Sequence, residues 1–181
     1  HDSLPDRPGE GSRPGRLIIV RPAKSSWAGD AVDHDRPLSR RGRRDARALG
    51  AHLAARPPVP DRALVSDAVR CRQTWQLATE AGATAGEVMF STTVYEASAT
   101  DLLGQVCASP SSVSNLLLLG HNSSVVDLVR LLAAHTGQPD LWHRIDQKFP
   151  TSAVATLAVP APWSAVAPGS AELLAYGVPR G

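Results

Sequence analysis

Short, uninterrupted apolar runs alternate along this chain with stretches whose apolar residues recur at helical spacing. Leu17 to Val20, Arg62 to Ser66, Val113 to Leu119 and Ala153 to Val159 read as strands, with shorter ones over Val88 to Phe90 and Glu172 to Tyr176. The four consecutive leucines Leu116 to Leu119 suit a central strand covered on both faces. Ser39 is placed to cap a helix running to about Ala55, with Ala46, Leu49 and Leu53 on one face. Pro57, Pro58 and Pro60 stop it. A second helix is predicted from about Asp67 to Ala81. Ser98-Ala-Thr-Asp101 forms a capping-box pattern for a third, through Val106. Gly120 ends the leucine strand, and a fourth helix follows to about Thr136, closed by Gly137. Strand then helix, repeated, predicts an α/β fold: a three-layer α/β/α sandwich around a central, mostly parallel sheet.

Bulk properties narrow this picture. The length of 181 residues suits one domain over residues 16–181, preceded by a Pro-, Gly- and Arg-rich stretch, residues 1–15, that reads as a flexible arm. A net charge of +2 argues against a general nucleic-acid partner. Nearly all the positive charge is arginine; Lys24 and Lys148 are the only lysines. Cys71 and Cys107 stand outside any CxxC pair, so neither a disulfide framework nor a zinc site is expected. A reducing cytoplasm fits best. No apolar run has the length of a membrane span, and no membrane partner is expected. The sequence leaves the oligomeric state open.

Candidate chemistry sits just past three predicted strand ends: Arg21-Pro22-Ala23-Lys24-Ser25, Ser66-Asp67-Ala68-Val69-Arg70, and Gly120-His121-Asn122. In a doubly wound sheet the carboxyl ends of parallel strands share one edge, so the three segments can converge on one crevice. Arg21, Arg70 and His121 together suit a tetrahedral dianion, because the planar guanidinium pairs with phosphate oxygens two at a time. Lys24, Ser25 and Arg36 are further candidates for touching the anion.

The ordered set of segments resembles the histidine phosphatase (phosphoglycerate mutase-like) superfamily, in its short SixA-like phosphohistidine phosphatase branch. Arg21-Pro22 stands where that family has its first signature. Asp33-His34-Asp35-Arg36-Pro37-Leu38 with Arg41-Gly42, Ser66…Arg70-x-x-Gln73-Thr74, Leu119-Gly120-His121-Asn122 and Phe149-Pro150-Thr151-Ser152-Ala153 resemble its later motifs. The resemblance covers roughly residues 16–159. It implies phosphomonoester or phosphohistidine hydrolysis through a phosphohistidine intermediate, with no metal and no cofactor. Arg21 and Arg70 would bind the phosphoryl group, and His121 would be the second pocket histidine. Glu96, in Val94-Tyr95-Glu96-Ala97, is the candidate general acid. The partner would be a phosphorylated small molecule or a phosphoprotein.

The departure from the pattern is Pro22, which occupies the position of the family's nucleophilic histidine. Proline has no side-chain nitrogen, so no phosphohistidine can form there, and phosphatase activity is expected to be lost or very low. Cys71 offers no replacement: thiol phosphatases use a Cys-x₅-Arg loop that is absent, and Cys71 is expected to point away from Arg70. Two readings follow. One is an enzyme whose nucleophile has been altered, which a single base change from CAC to CCC would do. The other is a pseudophosphatase that binds phosphate or a phosphoprotein.

Overall fold

The computed structural model describes residues 14–181. The expected arm therefore lies almost wholly outside the described residues, and Gly15 already belongs to a strand. Six strands form one sheet: β1 (Gly15–Val20), β2 (Arg62–Ser66), β3 (Glu87–Ser91), β4 (Asn115–Leu119), β5 (Val154–Val159) and β6 (Glu172–Gly177). Their spatial order is β3-β2-β4-β1-β5-β6. The first four are parallel to one another, while β5 runs antiparallel to both of its neighbours, β1 and β6. The sheet is thus mostly parallel, with an antiparallel edge.

Alternating side chains send the two faces of each central strand into different cores. Leu17, Ile19, Leu116 and Leu118 pack with α4 (Ala99–Cys107), α5 (Ser124–Ala133) and α6 (Pro139–Gln147). Ile18, Val20, Leu117 and Leu119 pack with α1 (Arg40–Ala54) and α2 (Val69–Glu80). This two-sided burial explains the uninterrupted leucines of β4, since neither face meets water. It completes the three-layer sandwich.

The local signals act largely as read. Ser39 Oγ accepts the Gly42 N–H at 3.0 Å and caps α1. Ser98 and Asp101 form the capping box of α4. The helix after Gly120 is shorter than expected. It starts at Ser124 and ends at Ala133, because Ala134 turns into the left-handed region at φ 46°, ahead of Gly137. Two elements are additional: the single turn α3 (Thr92–Tyr95) and α6, which opens with Pro139. The Pro-rich segment 160–170 is anchored to the core. Its Trp163 is buried and donates from Nε1 to the Val113 carbonyl at 2.6 Å.

Candidate functional site

The carboxyl ends of β1, β2 and β4 open onto a cavity of about 520 Å³. It is lined by Arg21, Pro22, Lys24, Ser25, Arg70, His121 and Asn122 from those strand ends, joined by Arg36, Arg41, Lys148 and Arg180. Among the described residues, seven that line it are Arg or Lys, and none is Asp or Glu. Arg21 and Arg70 sit deep in it, half-buried, while Lys24, Arg41, Lys148 and Arg180 form an exposed rim. Burial and then the Arg70 charge push the Arg21 pKa down. Two like charges held together in a partly dry pocket favour an anion between them.

Each deep side chain is fixed by contacts from distant parts of the chain. Arg21 Nη1 donates to the Phe149 carbonyl at 3.1 Å, and Asn122 Nδ2 donates to the same oxygen at 2.9 Å. Arg70 donates to the Asp33 carbonyl at 2.8 Å and to Asp33 Oδ2 at 3.2 Å. Asp33 Oδ2 also accepts from the Tyr95 hydroxyl at 2.7 Å. That bond, ahead of those from Arg36 and Arg70, holds the Asp33 carboxyl well below the usual range.

His121 has a defined tautomer. Its Nδ1 lies 3.2 Å from Arg70 Nη2, which can only donate. Nδ1 therefore accepts, and the proton sits on Nε2, which donates to Ser66 Oγ at 2.7 Å. Burial first, then Arg70, pushes the His121 pKa down to about 4, so the ring is neutral near pH 7. Its Nε2 also faces Cys71 Sγ at 3.7 Å. Burial pushes the Cys71 thiol up to about 12, which leaves it protonated and poorly nucleophilic.

Pro22 is buried in the cavity wall, and its carbonyl accepts the Ser152 N–H at 3.0 Å. The Arg21 N–H donates to the Ala153 carbonyl at 3.0 Å. The late Pro-Thr-Ser-Ala segment thus clasps the Arg21-Pro22 turn through backbone groups alone. On the other side, the Ala23 N–H donates to Thr74 Oγ1 at 3.1 Å, and the Leu38 N–H donates to Gln73 Oε1 at 2.8 Å. The Gln-Thr pair of α2 therefore latches both ends of the loop from Pro22 to Leu38.

Not every candidate residue reaches the cavity in the expected way. Glu96 is exposed beyond α3 and does not line it. Asp33 and Tyr95 occupy the Arg70 side of the site instead. Arg36 lines the cavity but is committed internally. It pairs with Asp33 at 3.0 Å, donates to Ser25 Oγ at 2.6 Å, and stacks 3.5 Å from the Trp27 ring. Ser66 was legible only as the first letter of a motif; its hydroxyl proves to be the His121 acceptor. Arg41 was legible only as part of the Arg41-Gly42 motif, and Lys148 and Arg180 carried no signal beyond their charge.

The family model described as histidine phosphatase superfamily (branch 1) matches residues 17–103. An uncharacterised protein of Mycobacterium tuberculosis is 36% identical over 162 residues, covering 89% of this chain and all of its relative. A SixA structure from Nakamurella multipartitia superposes with a TM-score of 0.75 at 27% identity, over 92% of this chain and 96% of the other. This chain is a histidine phosphatase superfamily member. It belongs to the SixA-like branch. SixA from Agrobacterium tumefaciens gives a TM-score of 0.74 at 28% identity, over 92% of this chain and 99% of the other. Family and neighbours together place this histidine phosphatase homologue among proteins of phosphatase-like function.

Proposed function

We propose that the cavity binds the phosphoryl group of a phosphomonoester or a phosphohistidine-bearing protein, and that the chain with Pro22 hydrolyses it very slowly or not at all. The observation that carries this reading is the pairing of Arg21 and Arg70 in a cavity whose lining, among the described residues, holds seven cations and no carboxylate. In this reading the two guanidiniums grip the phosphoryl oxygens, and the anion relieves their mutual repulsion. Neutral His121 sits beside Arg70, where charge on the group develops. Pro22 occupies the place from which a family histidine would attack, and it cannot take up phosphorus. Cys71 cannot substitute, because its thiol stays protonated against His121 and the core.

Water is the remaining nucleophile, and among the described residues no carboxylate lines the cavity to activate it. Turnover of p-nitrophenyl phosphate should therefore lie near background. Inorganic phosphate should still bind by calorimetry, and Arg21→Met or Arg70→Met should weaken it at least about tenfold. Family-like turnover by the unaltered protein would sink the proposal.

The damaged-enzyme and binding-module forms of this reading separate on Pro22→His. The intact Arg21, Arg70 and His121 geometry favours recovery of activity in that variant. A variant that stays inactive yet holds a phosphorylated protein marks a pseudophosphatase. Two free cysteines support a reducing compartment such as the cytoplasm. No helix among the described residues is long and apolar enough to cross a membrane.

A further inference from the structure

The rim of the cavity is built differently from its floor. Arg41 and Arg180 both approach the buried carboxylate of Asp45, at 3.6 and 3.7 Å. Arg36 is spent on Asp33. Lys24 and Lys148 remain. They are the only lysines of the chain, they lie 124 positions apart (148 minus 24), and both line this one cavity. Neither ammonium makes an ion pair or a side-chain hydrogen bond among the described residues. Their backbone carbonyls are occupied, by Ser39 and Tyr176 respectively, so their positions are set while their charges stay available.

We propose that Lys24 and Lys148 form a second anion subsite, and that the ligand is a small molecule carrying a phosphoryl group and a second phosphate or carboxylate. This rests on the reading of the Arg21–Arg70 floor as the phosphoryl site. Two features argue for it. The cavity, at about 520 Å³, is far roomier than one phosphoryl group needs and falls within the size range of small-ligand pockets. A phosphoryl group at the floor already has the guanidiniums of Arg21 and Arg70 beside it, and the two ammoniums, unpaired among the described residues, are left for another group. Lysine suits an outer subsite, because a compact ammonium on a flexible stem can follow an anion whose position varies with the ligand.

The test compares ligands that differ only in the second phosphate: fructose 1,6-bisphosphate against fructose 6-phosphate, and ADP against AMP, with inorganic phosphate as reference, all by calorimetry at low salt. In at least one pair the second phosphate should tighten binding about tenfold. Lys148→Gln and Lys24→Gln should each bring that ratio down towards one, and circular dichroism checks that both variants fold. No tightening in either pair overturns the subsite, as does a ratio that survives both substitutions. If inorganic phosphate itself fails to bind, the floor reading fails first. If phosphate binds and the second group adds nothing, only the subsite fails.

Discussion

At the scale of single residues, Ser66 is the contact on which the His121 geometry turns. It is fully buried, its Oγ accepts the His121 Nε2 proton, and it also accepts the Ala68 N–H at 3.2 Å. Ser66→Ala leaves both donors without that acceptor in a dry site. A loss of about 1–3 kcal/mol is expected in chemical denaturation, together with weaker phosphate binding as the ring is freed. His121 also gives the fold an acid-sensitive limb. Its folded pKa of about 4 lies below the ordinary 6.5, so the unfolded chain takes up the proton first. Stability is therefore full above pH 6.5 and falls as pH drops towards 4. Asp33, whose carboxyl is held below its ordinary 3.8, continues the loss in stronger acid. His34 acts in the opposite sense, because Asp67 and Asp35 raise its pKa, but its exposure keeps that effect small. Melting temperatures across this range should show the fall. His121→Asn should flatten the part between pH 6.5 and 4.

At the scale of elements, the approach of α1 to the loop from Pro22 to Leu38 depends on Gly42. A Cβ there would stand 2.0 Å from the Lys24 carbonyl oxygen. Gly42→Ala must push α1 away from the loop, and the same displacement would move Lys24 at the rim. A destabilisation of about 1–3 kcal/mol is expected by thermal or denaturant unfolding, with phosphate affinity falling alongside. Gly50 plays the corresponding part deeper in α1, where a Cβ would meet the Ala78 carbonyl of α2 at 2.1 Å. Thr74→Val tests the latch from α2. It removes the acceptor for the buried Ala23 N–H while keeping the side-chain volume. Weakened phosphate binding with retained secondary structure is the expected result, since the loss falls on the loop carrying Pro22 rather than on the sheet.

Across the whole molecule, a modest net charge of +2 hides a strong local asymmetry. Seven cations face one cleft. The field of such a cleft concentrates anions and weakens steeply with ionic strength. Phosphate should therefore raise the melting temperature at low salt, following its binding equilibrium. Added sodium chloride should erase most of that shift. A phosphate-induced shift that is indifferent to salt would point to some other site. The sheet order explains how so many cations meet. Placing β1 between β4 and β5 brings the Arg21 loop beside His121 on one side and the Pro150–Ala153 segment on the other.

The strands, most of the helices, the caps at Ser39 and Ser98, and the three strand-end segments carrying Arg21, Arg70 and His121 were legible along the chain. These follow from local patterns: an unbroken apolar run, a helical period, a hydroxyl before a helix. The single turn α3 escaped because four residues hold barely one helical period, and α6, though as long as α4, escaped because Gln138 before it provides no side-chain cap. Packing across the whole fold alone decides that β5 runs antiparallel to β1 and β6, that Arg70 sets the tautomer of a histidine 51 residues away, and that Lys148 and Arg180 join Lys24 at one rim. Such meetings depend on which strands become neighbours, and that choice rests on long-range packing that no local period records. Pro22 spans both levels. Its identity was plain in the sequence, but its place in the wall of a cavity shared with Arg21, Arg70 and His121 belongs to the fold.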